Sequence, residues 1–339
     1  MTFWNVGAAG LIDDRIWPQL AGWQACPVIK IAAASDSSTP LLNRAHDTLG
    51  VPRLYSSWQE MLWREDIQIL HVGLEPANRV ELVETAASRG IHVMMDGPMA
   101  ASLDQAERML SAARSHGTKL FVSWPSAFNP AAVHAAQLAR DEAIGPVIQV
   151  SSRVAHGGPA SGRWSPLHAE WTQDAREAGA GAIMEGCSQG VQLCRVIIGL
   201  PSSCTAVAEK LAGGAAGVDD TAVIVLRYTA ALGIAEASWL QPYEETLPEI
   251  VIRGRAGSLL VTGQSLHLAR QETPAPIAIP VPPLQEGAET AAEAFLSFLL
   301  RDVEINGFCN PQVARDTQEI LEAGILSAET GRVVRLPLR

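Results

Sequence analysis

The sequence predicts an α/β protein with two domains: a parallel sheet flanked by helices, then a domain in which helices accompany an antiparallel sheet. At ~100–200 residues per domain, a chain of 339 residues suggests two domains. The first part of the chain alternates short apolar runs with helix-like segments, which is typical of βαβ units. After residue 123 strand patterns follow one another across short turns, which is typical of antiparallel pairing. We therefore place the domains at 1–123 and 124–339.

In the first domain, buried apolar runs predict strands and amphipathic segments predict helices. The strands are expected at Phe3–Val6, Val28–Ala34, Ile67–Val72, His92–Met95 and Lys119–Ser123. The helices are expected at Ile12–Gly22, Leu41–Leu49, Trp58–Arg64, Arg79–Arg89 and Leu103–His116. Pro18 is expected to interrupt the first of these helices.

In the second domain, a series of strands lies between helices. The predicted helices are Pro130–Asp141, Ala182–Ile198, Ala288–Ile305 and Asn310–Ala328. The predicted strands are Val147–Val154, Cys204–Leu211, Ala222–Tyr228, Leu232–Trp239, Glu249–Arg253 and Ser258–Val261. The Gly/Pro/Ser-rich stretch His156–Pro166 and the Pro-rich stretch Pro274–Pro283 are expected to be surface connections.

Composition excludes several classes of partner and compartment. The formal charge is −11 and Lys/Arg clusters are absent, which disfavours nucleic acid and anionic membranes as partners. The sequence has no apolar run of membrane-spanning length and no basic segment before the first apolar run, so neither a spanning helix nor a signal peptide is expected. Five cysteines without a C-x-x-C pattern predict buried thiols in a reducing, cytoplasmic environment.

The first strand leads into a glycine-containing stretch that weakly matches a dinucleotide-binding turn. The pattern requires glycine at its first, third and sixth positions, because the backbone must approach the pyrophosphate. Aligned on Gly7, the third and sixth positions are Ala9 and Ile12. On this alignment the expected cofactor contacts of the turn are Gly7, Ala8, Ala9, Leu11 and Ile12.

An acidic residue follows the second strand, as a dinucleotide site requires. A carboxylate at Asp36 would accept hydrogen bonds from ribose hydroxyls and repel a 2′-phosphate, and the neighbouring Ser37 supplies no cation. NAD is therefore favoured over NADP as the cofactor. The alternative is that Asp36 only caps the loop that follows.

Five segments, in the right order, are similar to motifs of one family. Gly90-Ile-His-Val-Met-Met-Asp-Gly-Pro98 resembles the "G-K-H-V-x-x-E-K-P" segment of the glucose–fructose oxidoreductase / inositol dehydrogenase / MocA family. The other similar segments are Val72–Pro76, Gly181–Gln189 with its lead-in Trp171–Asp174, Gly254–Leu259 and Ser327–Val334. The resemblance covers essentially the whole chain.

This resemblance implies a Rossmann domain followed by an α/β substrate domain with a large, open, mostly antiparallel sheet. The exposed face of that sheet is expected to form homodimers or homotetramers. It implies oxidation or reduction of a hydroxyl or carbonyl group on a sugar, cyclitol or related small molecule, with bound NAD(H) or NADP(H). The further cofactor contacts that it implies are Leu74, Glu75, Pro76, Asn78, Asp96, Gly97, Pro98 and Trp171.

The chain departs from this family where the family carries its acid/base groups. Gly97 stands where the family has lysine, and none of the three lysines of the chain falls there. Gln189 replaces the family's histidine, and an amide does not exchange protons near neutral pH. Glu185 keeps the carboxylate of the motif, either as a base with a pKa raised by burial or as a helix-start carboxylate. Gln189 would orient a substrate hydroxyl or pack beside it.

Two histidines near this motif are further acid/base candidates. His156 precedes two glycines that would let a ligand approach closely, and His168 lies a few residues before the motif. The alternative for both is a solvated loop histidine. Their spacing matches no zinc motif, so no metal is expected.

Three hypotheses of function follow from the sequence. The first is an NAD(P)-dependent oxidoreductase with an altered acid/base set. The second is a lyase, epimerase or glycosidase that keeps the cofactor and oxidises its substrate transiently. The third is a non-catalytic ligand-binding or regulatory member of the family.

Overall fold

The computed structural model describes residues 3–212, 217–241, 247–273 and 275–338. The chain divides into two compact units, each assembled from three stretches. The first contains Met1–Ser123, Trp164–Trp171 and Gln285–Arg315, and the second contains Trp124–Arg163, Thr172–Leu284 and Asp316–Arg339. Two segments that we had placed in the second domain therefore belong with the first unit.

The first unit contains a six-stranded sheet in which all paired strands are parallel. Its strands are β1 (Trp4–Ala9), β2 (Ile29–Ser35), β3 (Leu54–Tyr55), β4 (Ile69–Val72), β5 (His92–Asp96) and β6 (Leu120–Ser123). Their order is β3-β2-β1-β4-β5-β6, so the order reverses between β1 and β4. The predicted parallel Rossmann sheet is confirmed.

The second unit contains a nine-stranded sheet that is mostly antiparallel. Its strands are β7 (Val147–Ala155), β8 (Ser203–Glu209), β9 (Thr221–Arg227), β10 (Leu232–Ser238), β11 (Ile250–Gly254), β12 (Gly257–Thr262), β13 (Ser265–Ala269), β14 (Ile277–Ile279) and β15 (Val334–Arg335). Their order is β14-β13-β12-β11-β7-β10-β9-β8-β15. Only β7 and β10, at the centre, pair in parallel among the described strands of this sheet. The predicted fold class is confirmed.

Each predicted helical segment is present, mostly with shifted ends, and the structure adds two short helices between residues 166 and 178 that were not predicted. They are α1 (Ile16–Ala25), α2 (Thr39–Leu49), α3 (Trp58–Arg64), α4 (Val80–Ser88), α5 (Leu103–Ser115), α6 (Pro130–Arg140), α7 (Pro166–Thr172), α8 (Ala175–Ala178), α9 (Ala182–Glu185), α10 (Cys187–Ile197), α11 (Ala291–Leu300) and α12 (Pro311–Thr330). Because α1 begins at Ile16, Pro18 lies in its first turn, where a proline removes no helical hydrogen bond. The expected interruption at Pro18 was wrong.

The core of the first unit joins β4 and β6 to two helices. The Phe295 ring of α11 lies 5.0 Å from that of Phe121 and 6.3 Å from that of Trp23. The Trp23 indole donates a hydrogen bond of 3.1 Å to Nδ1 of His71. Burial lowers the pKa of His71 to about 3, so its ring stays neutral at physiological pH.

In the second unit, α9 and α10 replace the single predicted helix. The chain breaks at Gly186, where a Cβ would lie 2.6 Å from Cβ of Ala237. A Cβ on Gly190 would lie 2.7 Å from Cβ of Ala235. These glycines let α9 and α10 pack directly on β10, because a side chain at either position would clash with an alanine of that strand.

The two faces of the nine-stranded sheet differ. One face is buried under helices and includes Ile224, Ala235 and Ile252. The other face exposes apolar side chains, with Val207 60%, Leu232 46% and Val225 39% exposed. All five cysteines lie in the described part of the chain, where each is buried and none forms a disulfide bond. No helix in the described part of the chain has the length and apolarity needed to cross a membrane.

Candidate functional site

The turn after β1 is centred on Gly10, three residues later than predicted. Gly7 lies inside β1, and a Cβ there would lie 2.6 Å from Cδ1 of Ile67. Glycine at this position therefore lets Ile67 pack against the strand. Ala8 and Ala9 are fully buried and offer no side-chain surface to a ligand. Gly10 has a φ of +78°, and a Cβ on it would lie 2.6 Å from the Leu74 nitrogen. The alignment on Gly7 was therefore wrong, and Leu11 and Ile12 remain the predicted contacts of this turn.

Asp36 lies at the carboxyl end of β2 and joins two loops. Its Oδ2 accepts the Leu11 N–H at 2.6 Å, and its Oδ1 accepts the Ser38 N–H at 2.7 Å. Burial raises the pKa of Asp36, against the effect of these two hydrogen bonds. The predicted loop cap is thus present, and the same carboxylate also touches the glycine turn. The neighbouring Ser37 is exposed.

The loops after β4 and β5 are held together by a buried arginine. Arg79, fully buried, donates from Nε to the Leu74 carbonyl at 2.8 Å. Its Nη1 donates to the carbonyls of Asp96 at 2.9 Å and Pro98 at 2.7 Å. Burial lowers its pKa only to about 10, so the guanidinium remains charged. The predicted cofactor segments around Leu74 and Gly97 are therefore fixed by one side chain.

The remaining predicted residues of these loops lie nearby in the chain. Pro76 is buried, and the exposed Asn78 donates to Oε2 of Glu75 at 3.3 Å. At the end of β5, burial raises the pKa of Asp96 to about 6.

A second cation reaches the position where the family carries its lysine. Nη1 of Arg15 donates to the carbonyl of Gly97 at 2.9 Å. Its Nε and Nη2 bind the carboxylate of Asp13, with Nη2 2.6 Å from Oδ2. Burial acts to raise the pKa of Asp13, but Arg15 and His168 together outweigh burial and hold this pKa well below its usual value. The buried carboxylate of Asp13 therefore stays charged and holds the Arg15 guanidinium next to the carbonyl of Gly97.

His168 joins the segment 164–171 to the turn before α1. Its Nδ1 accepts the Asp14 N–H at 2.9 Å, and the Ser165 N–H donates to Oδ2 of Asp14 at 2.6 Å. The ring is 3% exposed and lies 5.0 Å from the ring of Trp171. His168 is therefore a buried residue with structural partners and not the solvated loop histidine that was the alternative to its predicted acid/base role.

The residues of the first unit fit a dinucleotide. A carboxylate follows β2, a partly exposed guanidinium lies at the carboxyl edge of the sheet, and the order of strands reverses beside this turn, where α/β sheets bind ligands. The buried indole N–H of Trp171 has no hydrogen-bond partner among the described residues, so a donor is left over at a predicted contact. NAD, when bound, would supply the hydride acceptor of a redox reaction.

In the second unit, two of the predicted catalytic residues come together. Nε2 of His156 lies 3.2 Å from Oε2 of Glu185, and the indole N–H of Trp239 donates to the same oxygen at 3.2 Å. The side chains of His156 and Glu185 are 11% and 24% exposed, so the pair is sheltered yet accessible. Gln189, on α10, is half-buried, and its side chain makes no hydrogen bond within the described residues.

The amino-terminal end of α9 is fixed by the carboxylate of Asp219, a residue that lies just before β9. Asp219 accepts the N–H groups of Gly181 at 2.8 Å and Ile183 at 2.7 Å. Its carbonyl accepts the Ala182 N–H at 3.0 Å. This anchor, just before β9, places Glu185 one helical turn further along α9.

Sequence reasoning missed Arg15, Arg79, Trp239 and Asp219. Asp219 and Trp239 flank strands in the sequence, so nothing local links them to Glu185. Arg15 had a signal: once the glycine pattern is aligned on Gly10, Arg15 takes its sixth position.

Comparison with known proteins agrees with this geometry. Residues 5–124 match the family model described as "Oxidoreductase family, NAD-binding Rossmann fold". Residues 132–260 match the model of the GFO/IDH/MocA C-terminal domain. The fold and the site thus define a dinucleotide-binding protein with a Rossmann sheet and an open-sheet unit. The chain belongs to the Gfo/Idh/MocA family of oxidoreductases, as its motifs predicted.

Three relatives illustrate the range of the family. D-xylose 1-dehydrogenase (NADP(+)) 2 from Haloferax volcanii is 24% identical over 204 residues, which are 59% of this chain and 58% of that protein. The match thus spans about three fifths of this relative's length. A levoglucosan dehydrogenase solved in complex with NADH and levoglucosan has a TM-score of 0.83 at 18% identity, over 99% of this chain and 100% of that one. Aldose-aldose oxidoreductase from Caulobacter crescentus, solved with glycerol, has a TM-score of 0.80 at 22% identity, over 98% and 100% of the two chains. The two solved structures establish the shared fold.

Proposed function

We propose that this protein is an NAD-dependent oxidoreductase that acts on a CH–OH or carbonyl group of a carbohydrate-like small molecule. The observation that carries the proposal is the contact between Glu185 and His156, 3.2 Å apart in a sheltered, accessible position. Relatives named as dehydrogenases of xylose and levoglucosan support the substrate class.

The proposed reaction needs a group that takes a proton. Oxidation of an alcohol removes a hydride from carbon and a proton from oxygen. With NAD as the hydride acceptor, the chain itself must take the proton. Gly97 and Gln189 cannot do so, which leaves the pair Glu185–His156.

Asp36 supports NAD over NADP. Its carboxylate is fixed by two N–H donors, and a 2′-phosphate beside it would meet a negative charge. The neighbouring Ser37 offers no compensating cation.

The test begins with cofactor binding and continues with turnover. We expect NAD⁺ to raise the melting temperature of the purified protein, and NADP⁺ to raise it less. A panel of aldoses, anhydrosugars and cyclitols should then include a compound that produces NADH, measured by its absorbance. Glu185→Gln should reduce kcat at least about 100-fold, because general base catalysis contributes roughly 10²–10⁴, and should leave the affinity for NAD⁺ unchanged. Absence of binding by either cofactor at millimolar concentration would contradict the proposal.

A second candidate function follows from the missing lysine. Without a side chain at Gly97, a reaction in which oxidation is transient is also compatible with this site. It would convert a compound of the panel into an eliminated or epimerised product, detected by mass spectrometry or NMR, with no net NADH. Binding of cofactor and sugar without conversion would instead support a non-catalytic member of the family.

A further inference from the structure

We propose, on the basis of the function above, that His156 is held as a neutral ring with its proton on Nε2. In this state it serves as a hydrogen-bond donor that positions Glu185, together with Trp239, and Glu185 alone takes the substrate proton.

The protonation of the His156 ring follows from its second nitrogen. The backbone N–H of Gly158 donates to Nδ1 of His156 at 3.0 Å. A ring nitrogen that accepts a hydrogen bond carries no proton, so the proton of the neutral ring is on Nε2. That nitrogen faces Oε2 of Glu185 at 3.2 Å and donates to it. If His156 took up a second proton, this proton would have to displace the Gly158 hydrogen bond.

The backbone around His156 is fixed on both sides of the ring. Its N–H donates to the carbonyl of Ser238 at 2.9 Å, and its carbonyl accepts the Gln241 N–H at 3.2 Å. Ser238 is the last residue of β10 and Gln241 follows three residues later, so both partners lie within two residues of Trp239 in the sequence. The backbone that carries the ring is therefore held in place, and a turn of the ring itself would break its hydrogen bonds to Gly158 and Glu185.

Gly158 is the residue that brings the two donors into place. It has a φ of +58°, and a Cβ on it would lie 2.5 Å from Cβ of Trp239. Only glycine lets this backbone approach Trp239 while its N–H reaches the histidine ring. The glycines after His156 were expected to admit a ligand, but the structure shows Trp239 against Gly158.

Trp239 is the second positioning residue. Its indole N–H donates to Oε2 of Glu185 at 3.2 Å, its side chain is 6% exposed, and its backbone N–H donates to the Asp220 carbonyl at 2.8 Å. Two N–H donors from separate parts of the unit thus converge on one carboxylate oxygen. Neither donor releases its proton in the neutral range, so both stabilise and orient the charged carboxylate.

The first experiment uses two substitutions of His156 to test whether its ring acts as a hydrogen-bond donor or as a base. His156→Gln keeps an N–H donor but no group that can take a proton, and His156→Ala removes both. We expect His156→Gln to retain kcat within about tenfold and His156→Ala to lose about 100-fold. Equal losses of 100-fold or more in both variants would overturn the proposal.

The second experiment removes only the indole N–H. Trp239→Phe should lower kcat about tenfold with little effect on KM. The matched control is Trp17→Phe, because Trp17 is a buried tryptophan whose N–H has no partner among the described residues. An unchanged kcat in Trp239→Phe would remove Trp239 from the proposal.

The third experiment needs no substrate and no cofactor. In ¹⁵N-labelled protein at pH 7.5, the His156 ring, assigned by its absence in His156→Gln, should show an unprotonated Nδ1 and a protonated Nε2. The opposite pattern, or an average of both tautomers, would overturn the proposal even if the protein is an active oxidoreductase. If the protein binds no NAD, the proposed function fails while the tautomer result stands.

Discussion

Asp96 is a buried acid at the carboxyl end of β5 and makes stability depend on pH. Burial raises its pKa to about 6 from a usual 3.8, so the folded state holds a proton that the unfolded state releases between these values. This contribution to stability is complete below pH 3.8 and is lost as the pH rises through 6. Asp96→Asn should therefore stabilise the protein by about 2–3 kcal/mol at pH 7.5 and very little at pH 4.

Urea denaturation at the two pH values measures this difference. Asp47→Asn, at an exposed site on α2, is the control and should change stability little at either pH. A destabilised Asp96→Asn at pH 7.5 would show that the carboxylate gains more from Arg15 and Arg79 than it loses by burial.

Gly158 and Gly162 both have backbone conformations that favour glycine, but the space available to a methyl group differs between them. Both have positive φ, at +58° and +69°, but a Cβ meets Trp239 at the first and nothing within 4 Å at the second. Gly162→Ala should cost about 1 kcal/mol for the left-handed conformation. Gly158→Ala should cost about 1–3 kcal/mol more, because the added methyl group overpacks the site and because the ψ of −159° at Gly158 belongs to a conformation that only glycine adopts readily. Equal melting temperatures for the two variants would contradict the packing described for Gly158.

At the scale of residues, the sequence predicted which residues belong to the site better than it predicted which of them lie together. Glu185 and His156 were proposed separately, and only the fold shows that they touch. Gly7 was assigned to the turn because a glycine after an apolar run looks like a turn, yet it is needed inside β1 beside Ile67. Trp239 could not be proposed, since its link to Glu185 depends on a contact between residues 54 positions apart.

At the scale of elements, α9 is a four-residue helix that depends on an acceptor from outside itself. Asp219 accepts two of its N-terminal N–H groups, which a short helix cannot satisfy alone. Asp219→Ala should cost about 1–2 kcal/mol of stability, as loss of a cap does. It should also reduce kcat, because Glu185 ends this helix.

Asp220 is the matched control for this prediction. Its carboxylate also accepts backbone N–H groups, those of Leu211 and Ala212, but not from α9. Asp220→Ala should lower the melting temperature to a similar extent and leave kcat per folded molecule unchanged. A parallel loss of kcat in both variants would indicate a general effect of unfolding.

Long, strongly patterned elements were predictable and very short ones were not. The alternation that defines β7 and β9 and the apolar faces of α5 and α12 are properties of the local sequence. The strands β3, β14 and β15 have two or three residues, too few to show a period, and form only because a neighbouring strand is present. The start of α1 was misplaced because the loop before it is apolar at Leu11 and Ile12.

At the scale of the whole molecule, we propose that the open face of the nine-stranded sheet pairs with a second copy of the chain. Val207 and Val225 are exposed on neighbouring strands of this face, and Leu232 follows on the next. Burial of apolar area of this kind drives association in oligomers. Light scattering after gel filtration should therefore give a dimer or tetramer.

Substitution of this face tests the proposal. Val207→Glu combined with Val225→Glu should give a monomer with an unchanged far-ultraviolet circular dichroism spectrum. Val333→Glu, at an equally exposed valine outside the sheet strands, should leave the oligomer intact. A native protein that is monomeric at all concentrations would contradict the proposal.

The interleaving of the two units along the chain has a consequence for biosynthesis. The core of the first unit contains Phe295, which packs against Phe121 and Trp23, and this unit ends only at Arg315. A ribosome that has completed the six parallel strands at Ser123 still has to translate 172 codons (295 − 123) to reach Phe295. The amino-terminal sheet therefore remains incompletely covered until most of the polypeptide has been synthesised. A gene fragment that ends after Ser123 would encode a sheet whose core lacks Phe295.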